Sequence, residues 1–324
     1  MVLSNRIEAF TLLAITYRSL EFLLMRILVS GSHGLVGRAL IRSLGGEGHE
    51  VWRLVRRGRA SDSNEVAWQP DQGSVDGAQL EGFGAVVHLA GESIATGRWS
   101  DDKKRIIRES RVKGTQLLSD SLAKLARPPS TFICASAIGY YGNRGDELLT
   151  EQSAPGKDFL SRVCVEWEKA TEAAVRSGIR TINARFGIIL DKEGGALAKM
   201  LPPFRMGIGG RIGDGRQWMS WIAMDDVVDG LKHSLVTSGL TGPVNFVGPN
   251  PATNAEFTRT LGRVLSRPTL FPVPAFGVRL AFGEMGDALL LSSQRVQPHA
   301  LQATGYDFKY AQLEGALRRV LEMT

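Results

Sequence analysis

A chain of 324 residues with 43% hydrophobic and 22% charged residues has an ordinary globular composition, and it can bury a large core as one domain with a subdomain or as two domains. Its formal charge is +6, yet the basic residues are scattered and no Lys/Arg run is interleaved with aromatics, so nucleic acid is not an expected partner. Two cysteines, Cys134 and Cys164, exclude a disulfide framework and offer no metal site, which fits a reducing cytoplasm.

Residues 1–24 read as an extension outside the fold. Phe10 to Tyr17 is apolar but short, Arg18 and Glu21 interrupt it, and no small-residue cleavage site follows. A start codon taken too far upstream, a poorly ordered extension and a targeting segment are the alternatives, with the first two favoured. No other segment approaches spanning length, so no membrane partner is expected.

Arg26 to Ser30 reads as a buried strand. It runs into Gly31-Ser32-His33-Gly34-Leu35-Val36-Gly37, a helix follows to Leu44, and a second strand covers His49 to Arg57. Glycines at such a turn permit a tight bend, a close approach of pyrophosphate and contact between helix and strand. The free N–H groups at the helix start favour an anion. The spacing is G-x-x-G-x-x-G, and its setting between strand and helix gives it weight. The second strand ends on Val55-Arg56-Arg57 with no acid. A carboxylate there would repel a 2′-phosphate, whereas a guanidinium binds one through paired hydrogen bonds, so NADP (NADPH) is favoured over NAD. The alternative is a solvated patch of arginines.

A third strand is expected at Glu65 to Trp68. A fourth, Ala85 to Gly91, ends on small residues against which a cofactor can lie. A long helix runs from Lys103 to Ala126, with Ile106, Ile107, Val112, Leu117, Leu118, Leu122 and Leu125 in a helical stripe. Thr131 to Ser136 is the fifth strand, Phe159 to Ser177 a helix, and Arg180 to Phe186 the sixth strand. The alternation gives an α/β fold, a Rossmann-like doubly wound parallel sheet. Residues 25–190 form the expected cofactor domain. Residues 191–221, rich in Gly, Pro and Arg, read as a long functional loop within a substrate region of loop and interleaved sheet elements over 191–269. Within it Met224 begins a helix, Asn245 to Val247 is a short strand, and Asn254 opens another helix. Residues 270–324 read as a small, mainly helical C-terminal part.

The glycine turn, His88-Leu89-Ala90-Gly91, Ala135-Ser136-Ala137-Ile138-Gly139-Tyr140-Tyr141-Gly142 and Trp221 to Asp226 together resemble the extended short-chain dehydrogenase/reductases. Leu89 to Ile94, Ser110 to Thr115, Cys164 to Glu168, Leu201 to Arg205, Gly213 to Trp218, Gly283 to Met285, Gln294 to Pro298 and Gly305 to Phe308 are similar to that superfamily's atypical "epimerase family" branch. The similarity runs from Met25 to the end. It implies that Val55 and Arg56 hold the adenosine end of the cofactor. Leu89, Ala90 and Gly91 then line it, Arg111 reaches it from the long helix, and Ile188 flanks the nicotinamide. Sheet packing is the competing role for Leu89, Ala90 and Ile188. A homodimer follows by analogy only.

The superfamily's usual Ser, then Tyr-x-x-x-Lys, is only partly present. Ser136 supplies the serine. Matching Glu168 to the glutamate after the motif puts Leu160 at the tyrosine position and Cys164 at the lysine position. Tyr140 and Tyr141 are the substitute phenols, and Tyr140 with Ser136 is the candidate catalytic pair. A buried structural role is the commoner one for Cys164. In the 191–221 loop, Arg205, Arg211 and Arg216 could clamp an anionic small molecule, with Trp218 and Trp221 as walls. A surface loop with exposed arginines is the plain alternative. The expected activity is that of an NADP-binding, epimerase-like oxidoreductase. The competing one is a regulator or scaffold that binds NADP without catalysis, related to cell division through a label some members of the branch carry.

Overall fold

The computed structural model describes residues 24–56 and 64–323; residues 1–23 of the expected extension, together with Arg57, lie outside the described residues. Eight strands make the main sheet: β1 (Arg26–Ser30), β2 (Glu50–Arg56), β3 (Glu65–Gln69), β4 (Ser74–Val75), β5 (Ala85–His88), β6 (Thr131–Ala137), β7 (Arg180–Phe186) and β8 (Gly242–Phe246). Their spatial order is β8-β7-β6-β5-β1-β2-β3-β4, and only the β3–β4 pair is antiparallel. The chain moves outward from β1 to β3 and then restarts on the other side of β1 with β5. The order therefore reverses between β1 and β5, which opens a crevice at their carboxyl ends.

Helices cover both faces because the central strands are apolar on both. Ile27 and Val29 of β1 pack with Leu40 and Leu44 of α1 (Leu35–Gly46) and with Val227 and Leu231 of α6 (Met224–Val236). Leu28, pointing the other way, joins Leu118 and Leu122 of α2 (Asp101–Leu122) and Trp167 of α3 (Phe159–Lys169). This is the two-sided burial that a parallel sheet requires.

Two expected elements differ. The helix from Phe159 breaks after Lys169 and resumes as α4 (Glu172–Arg176), because the Thr171 hydroxyl donates to the Glu168 carbonyl at 2.7 Å and competes with the helical ladder. The expected loop at 191–221 contains a helix, α5 (Gly195–Arg205). Leu197, Leu201 and Phe204 recur at spacings of four and three and are buried. That stripe outweighs Pro202 and Pro203, and the Pro203 carbonyl then accepts the Ile208 and Gly209 N–H groups to close the turn.

The C-terminal residues are stitched into the sheet. The Asp226 carboxylate on α6 accepts the N–H groups of Lys309 and Tyr310 at 2.8 and 3.0 Å. Asn245 on β8 donates to the Gln297 carbonyl at 2.9 Å, and Glu151 accepts the Asn245 and Ala300 N–H groups. Further helices are α7 (Asn254–Val264), α8 (Ala275–Phe282), α9 (His299–Ala303) and α10 (Leu313–Leu321), with short helical turns at Glu284–Gly286 and Asp287–Leu291 between α8 and α9. Ala316 and Leu317 of α10 close a second core against Phe257 and Leu261 of α7. No helix of the described residues is long and apolar enough to cross a membrane.

His88 ends β5 in full burial. Its Nδ1 lies 2.6 Å from the Ser30 hydroxyl, and its ring meets Trp68 edge-on at 5.8 Å. Burial pulls its pKa from 6.5 to about 4. Between those values the unfolded chain takes a proton that the folded chain refuses, so stability falls as pH drops from about 6.5 to about 4. Urea unfolding at stepped pH should show a loss of roughly 3 kcal/mol across this window. His88→Gln should flatten that part of the profile.

Candidate functional site

The crevice between β1 and β5 holds a cleft of about 250 Å3 lined by Gly31, Ser32, His33 and Gly34 from the turn, by Leu54, Val55 and Arg56 from β2, and by Leu89, Ala90, Gly91 and Glu92 after β5. Gly31 has φ +66°, and a Cβ there would sit 2.7 Å from the Leu89 carbonyl carbon. A Cβ on Gly37 would sit 2.3 Å from the Gly31 carbonyl oxygen, so α1 rests directly on the strand end. Gly34 caps α1 without any side chain, and no acid occupies the first turn. The opening N–H groups therefore face the cleft free of protein acceptors, an arrangement that suits a pyrophosphate. Leu35, Val36 and Gly37 belong to the helix; Leu35 and Val36 pack on the core.

Arg56 is exposed at the cleft wall, where a cation suits a 2′-phosphate. The cleft also includes Trp68, Pro70 and Asp71 around the end of β3, and Glu109, Ser110 and Lys113 of α2. Sequence reasoning did not single out these six. Ser110 and Lys113 lie in a stretch whose spacing of three on a helix was the available signal. Asp71 lies in the short helical turn Pro70–Gln72 after β3, which carries no motif.

Arg111 does not line the cleft. Its two terminal nitrogens donate to the backbone carbonyls of Ile107 at 3.0 Å and Glu92 at 2.9 Å, and its guanidinium lies 5.0 Å from the Trp167 ring centre. Burial lowers its pKa. Arg111 thus holds the loop after β5 from below, while Lys103 holds the Glu92 carboxylate at 2.7 Å. Ile188 pairs with Trp221 in a small parallel ribbon and packs at the edge of the core that α7 and α10 share. It lines neither cleft.

A buried polar chain occupies the carboxyl ends of β6, β7 and β8. Ser136 donates to Glu168 Oε1 at 2.6 Å. Arg185 clamps the same carboxylate with Nε at 2.7 Å and Nη2 at 2.8 Å. Its Nη1 donates to the Tyr141 hydroxyl at 2.9 Å, and that hydroxyl donates to Asn245 Oδ1 at 2.7 Å. Burial opposes the Arg185 charge, but the Glu168 carboxylate outweighs it and the pKa is raised. Burial pushes the Tyr141 phenol up to about 12. Tyr140 is half-buried, with the Arg185 guanidinium 3.5 Å from its ring centre. The Cys164 thiol is fully buried and pushed up to about 12, chiefly by burial, which leaves it without a nucleophile's thiolate.

A second cleft lies between α3 and the C-terminal part, lined by Trp99, Asn143, Asp158, Phe159 and Leu160 on one side and by Arg279, Glu284, Asp287, Ala288, Leu291 and Ser292 on the other. Leu160, at the tyrosine position, thus faces a cavity. Arg205, Arg216 and Trp218 do not line this cleft. Arg205 ends α5, Arg216 points to solvent beside Asp214, and Trp218 donates to Asp146 at 2.8 Å under the Arg295 guanidinium. None of the loop arginines, Arg205, Arg211 and Arg216, lines either cleft. No cluster of metal-ligating residues occurs among the described residues.

Residues 27–246 match the family model described as "NAD dependent epimerase/dehydratase family", and residues 273–320 match a domain of unknown function, DUF1731. An epimerase family protein of Mycobacterium bovis is 44% identical over 291 residues, covering 90% of this chain and 96% of that protein. One from Bacillus subtilis is 36% identical, covering 92% and 98%. The crystal structure of a human epimerase family protein with NADPH superposes with a TM-score of 0.85 at 34% identity, covering 92% of this chain and 99% of that one. A UDP-glucose 4-epimerase of Thermotoga maritima, at 18% identity and TM-score 0.71, shares the fold.

Removing one partner of the Arg185–Glu168 pair leaves a buried charge uncompensated, which costs about 3–5 kcal/mol. Arg185→Met should show that loss in denaturant unfolding. Adding Glu168→Gln to it should recover part of the loss, since the stranded charge is then gone.

Proposed function

The chain belongs to the NAD dependent epimerase/dehydratase family, and we propose that it is an NADP(H)-dependent, epimerase-like oxidoreductase acting on a small molecule held in the second cleft. The observation that carries this reading is the first cleft: an uncapped helix N-terminus beside Gly31, with β2 ending on Arg56 where an acid would select against a 2′-phosphate. The human relative's NADPH supports the same choice.

NADPH supplies the hydride when bound. The residues here bind and orient: α1's first N–H groups take the pyrophosphate, Arg56 takes the 2′-phosphate, and Leu89, Ala90 and Gly91 form the wall under the dinucleotide. With Leu160 and Cys164 in place of the usual pair, the proton is assigned to Tyr140. Tyr140, which lines neither cleft, would have to reach a substrate carbonyl oxygen from beside the Arg185 guanidinium to give it that proton. The Arg185 guanidinium lies 3.5 Å from the Tyr140 ring centre and holds the ring in place. Ser136 acts as a positioning residue through Glu168. Arg279, the one cation among the described residues lining the second cleft, is paired with Asp287 at 2.8 Å and stands beside the Asp158 and Glu284 carboxylates, so this lining favours a neutral or cationic group of the substrate over an anionic one. Cytoplasmic location and a homodimer belong to the same proposal; the two cysteines are free and buried.

A second reading, an NADP-binding regulator without turnover, is favoured by one observation: the Ser136 hydroxyl is already committed to Glu168. The readings separate on a panel of carbonyl compounds and nucleotide sugars, where NADPH binding without turnover on any of them supports the regulator.

Arg56→Glu should weaken NADPH roughly 10- to 100-fold while leaving NADH affinity little changed, read by fluorescence titration. Equal affinities for NADPH in both proteins would remove the basis for NADP selectivity. Tyr140→Phe should lower turnover roughly 100- to 10,000-fold at unchanged NADPH affinity. A retained rate would move the proton to another group.

A further inference from the structure

Outside both clefts, the turn after α5 and the segment before α8 run side by side. Arg267 Nε donates to the Arg205 carbonyl at 2.9 Å, and the Val273 N–H donates to the Arg211 carbonyl at 2.8 Å. This joined surface, continued by α8, leaves Met206, Ile208, Leu270, Phe271, Phe276 and Leu280 exposed, the last two on one face of α8 at a spacing of four. Leu270, Phe276 and Leu280 are 78%, 73% and 77% exposed, so these side chains project outward and do not line a groove. Interleaved with them are Arg205, Arg211 and Arg267. Among the described residues none of the three has a carboxylate within ion-pair distance, and the guanidinium donors of Arg211 and Arg267 go to backbone carbonyls.

We propose that this face docks on an anionic lipid surface, with Phe276, Leu280 and the neighbouring loop side chains entering the headgroup–acyl boundary and the arginines pairing with lipid phosphates. Projecting apolar side chains need a deformable partner, which a bilayer interface supplies without a matching groove. The unpaired guanidinium groups select the sign of that partner and bind phosphate through paired hydrogen bonds. A second copy of the chain fits worse, because a two-fold contact through this face brings together two patches of the same positive sign. The expectation of no membrane partner rested on the length of apolar segments, and surface docking needs no spanning segment. The same α8 carries Arg279 into the second cleft, so docking would place that cleft's mouth beside the lipid surface. Docking here is independent of whether the chain turns a substrate over.

The test is flotation of the full-length protein with vesicles of phosphatidylcholine alone and of phosphatidylcholine mixed with phosphatidylglycerol. The expected result is binding to the mixed vesicles only, weakening as salt is raised. Phe276→Glu with Leu280→Glu should reduce that binding roughly tenfold or more, and Arg205→Gln or Arg267→Gln about fivefold each, with NADPH affinity unchanged in all. Failure to float with either vesicle overturns the proposal, as does undiminished binding by the Phe276/Leu280 double variant. Concentration-dependent self-association in solution that the double variant abolishes would assign the face to a second copy and also overturn it.

Discussion

Everything at the first cleft depends on how closely Gly31 approaches the end of β5. With φ at +66° and the Leu89 carbonyl within 2.7 Å of where a Cβ would stand, the position accepts no side chain without moving a strand. That closeness sets where α1 begins, and α1's start sets which N–H groups face the crevice. It also brings β5 near enough for the Leu89 N–H to reach the Ser30 hydroxyl at 3.1 Å, which ties the two strand ends together. Arg111 and Lys103 then brace the loop that follows. The wall of the first cleft is therefore fixed from both sides before any ligand arrives, which lowers the ordering cost of binding.

The second constraint is Arg185. One buried guanidinium reaches α3 through Glu168, the turn after β6 through Tyr141, and lies against the Tyr140 ring. Glu168 in turn takes the Ser136 hydroxyl. Such a network is costly unless every member is satisfied, and here each named group has a partner. It gives this end of the sheet a rigid polar floor at the place where Leu160 and Cys164 supply none of the usual chemistry.

The order of strands and helices was legible because each central element announces itself by period. β1, β5 and β6 are short apolar runs, and α2 carries a stripe. The glycine turn and Arg56 were legible because backbone freedom and charge at fixed positions are local properties. What was not legible depends on distance in space. Glu109 and Lys113 reach the cleft only through the placement of α2. Arg111 turned to backbone carbonyls because the loop after β5 folded over it. Composition also misled: Gly and Pro suggested a loop at 191–221, while Leu197, Leu201 and Phe204 carried a helix in the same stretch. The loop arginines looked convergent on a substrate because they are near one another in number, yet none of them lines either cleft.

The stitching of the C-terminal residues bears on how the molecule is made. Asp226 is satisfied by N–H groups at Lys309 and Tyr310, Asn245 by the Gln297 carbonyl, and α7 by Leu317. During synthesis β1 to β7 emerge long before those partners do. Until they clear the ribosome, a buried carboxylate on α6 and an apolar face on α7 wait without cover. The growing chain is thus vulnerable to proteases and self-association until residues 297–317 have emerged, and their docking is the closing step for these elements.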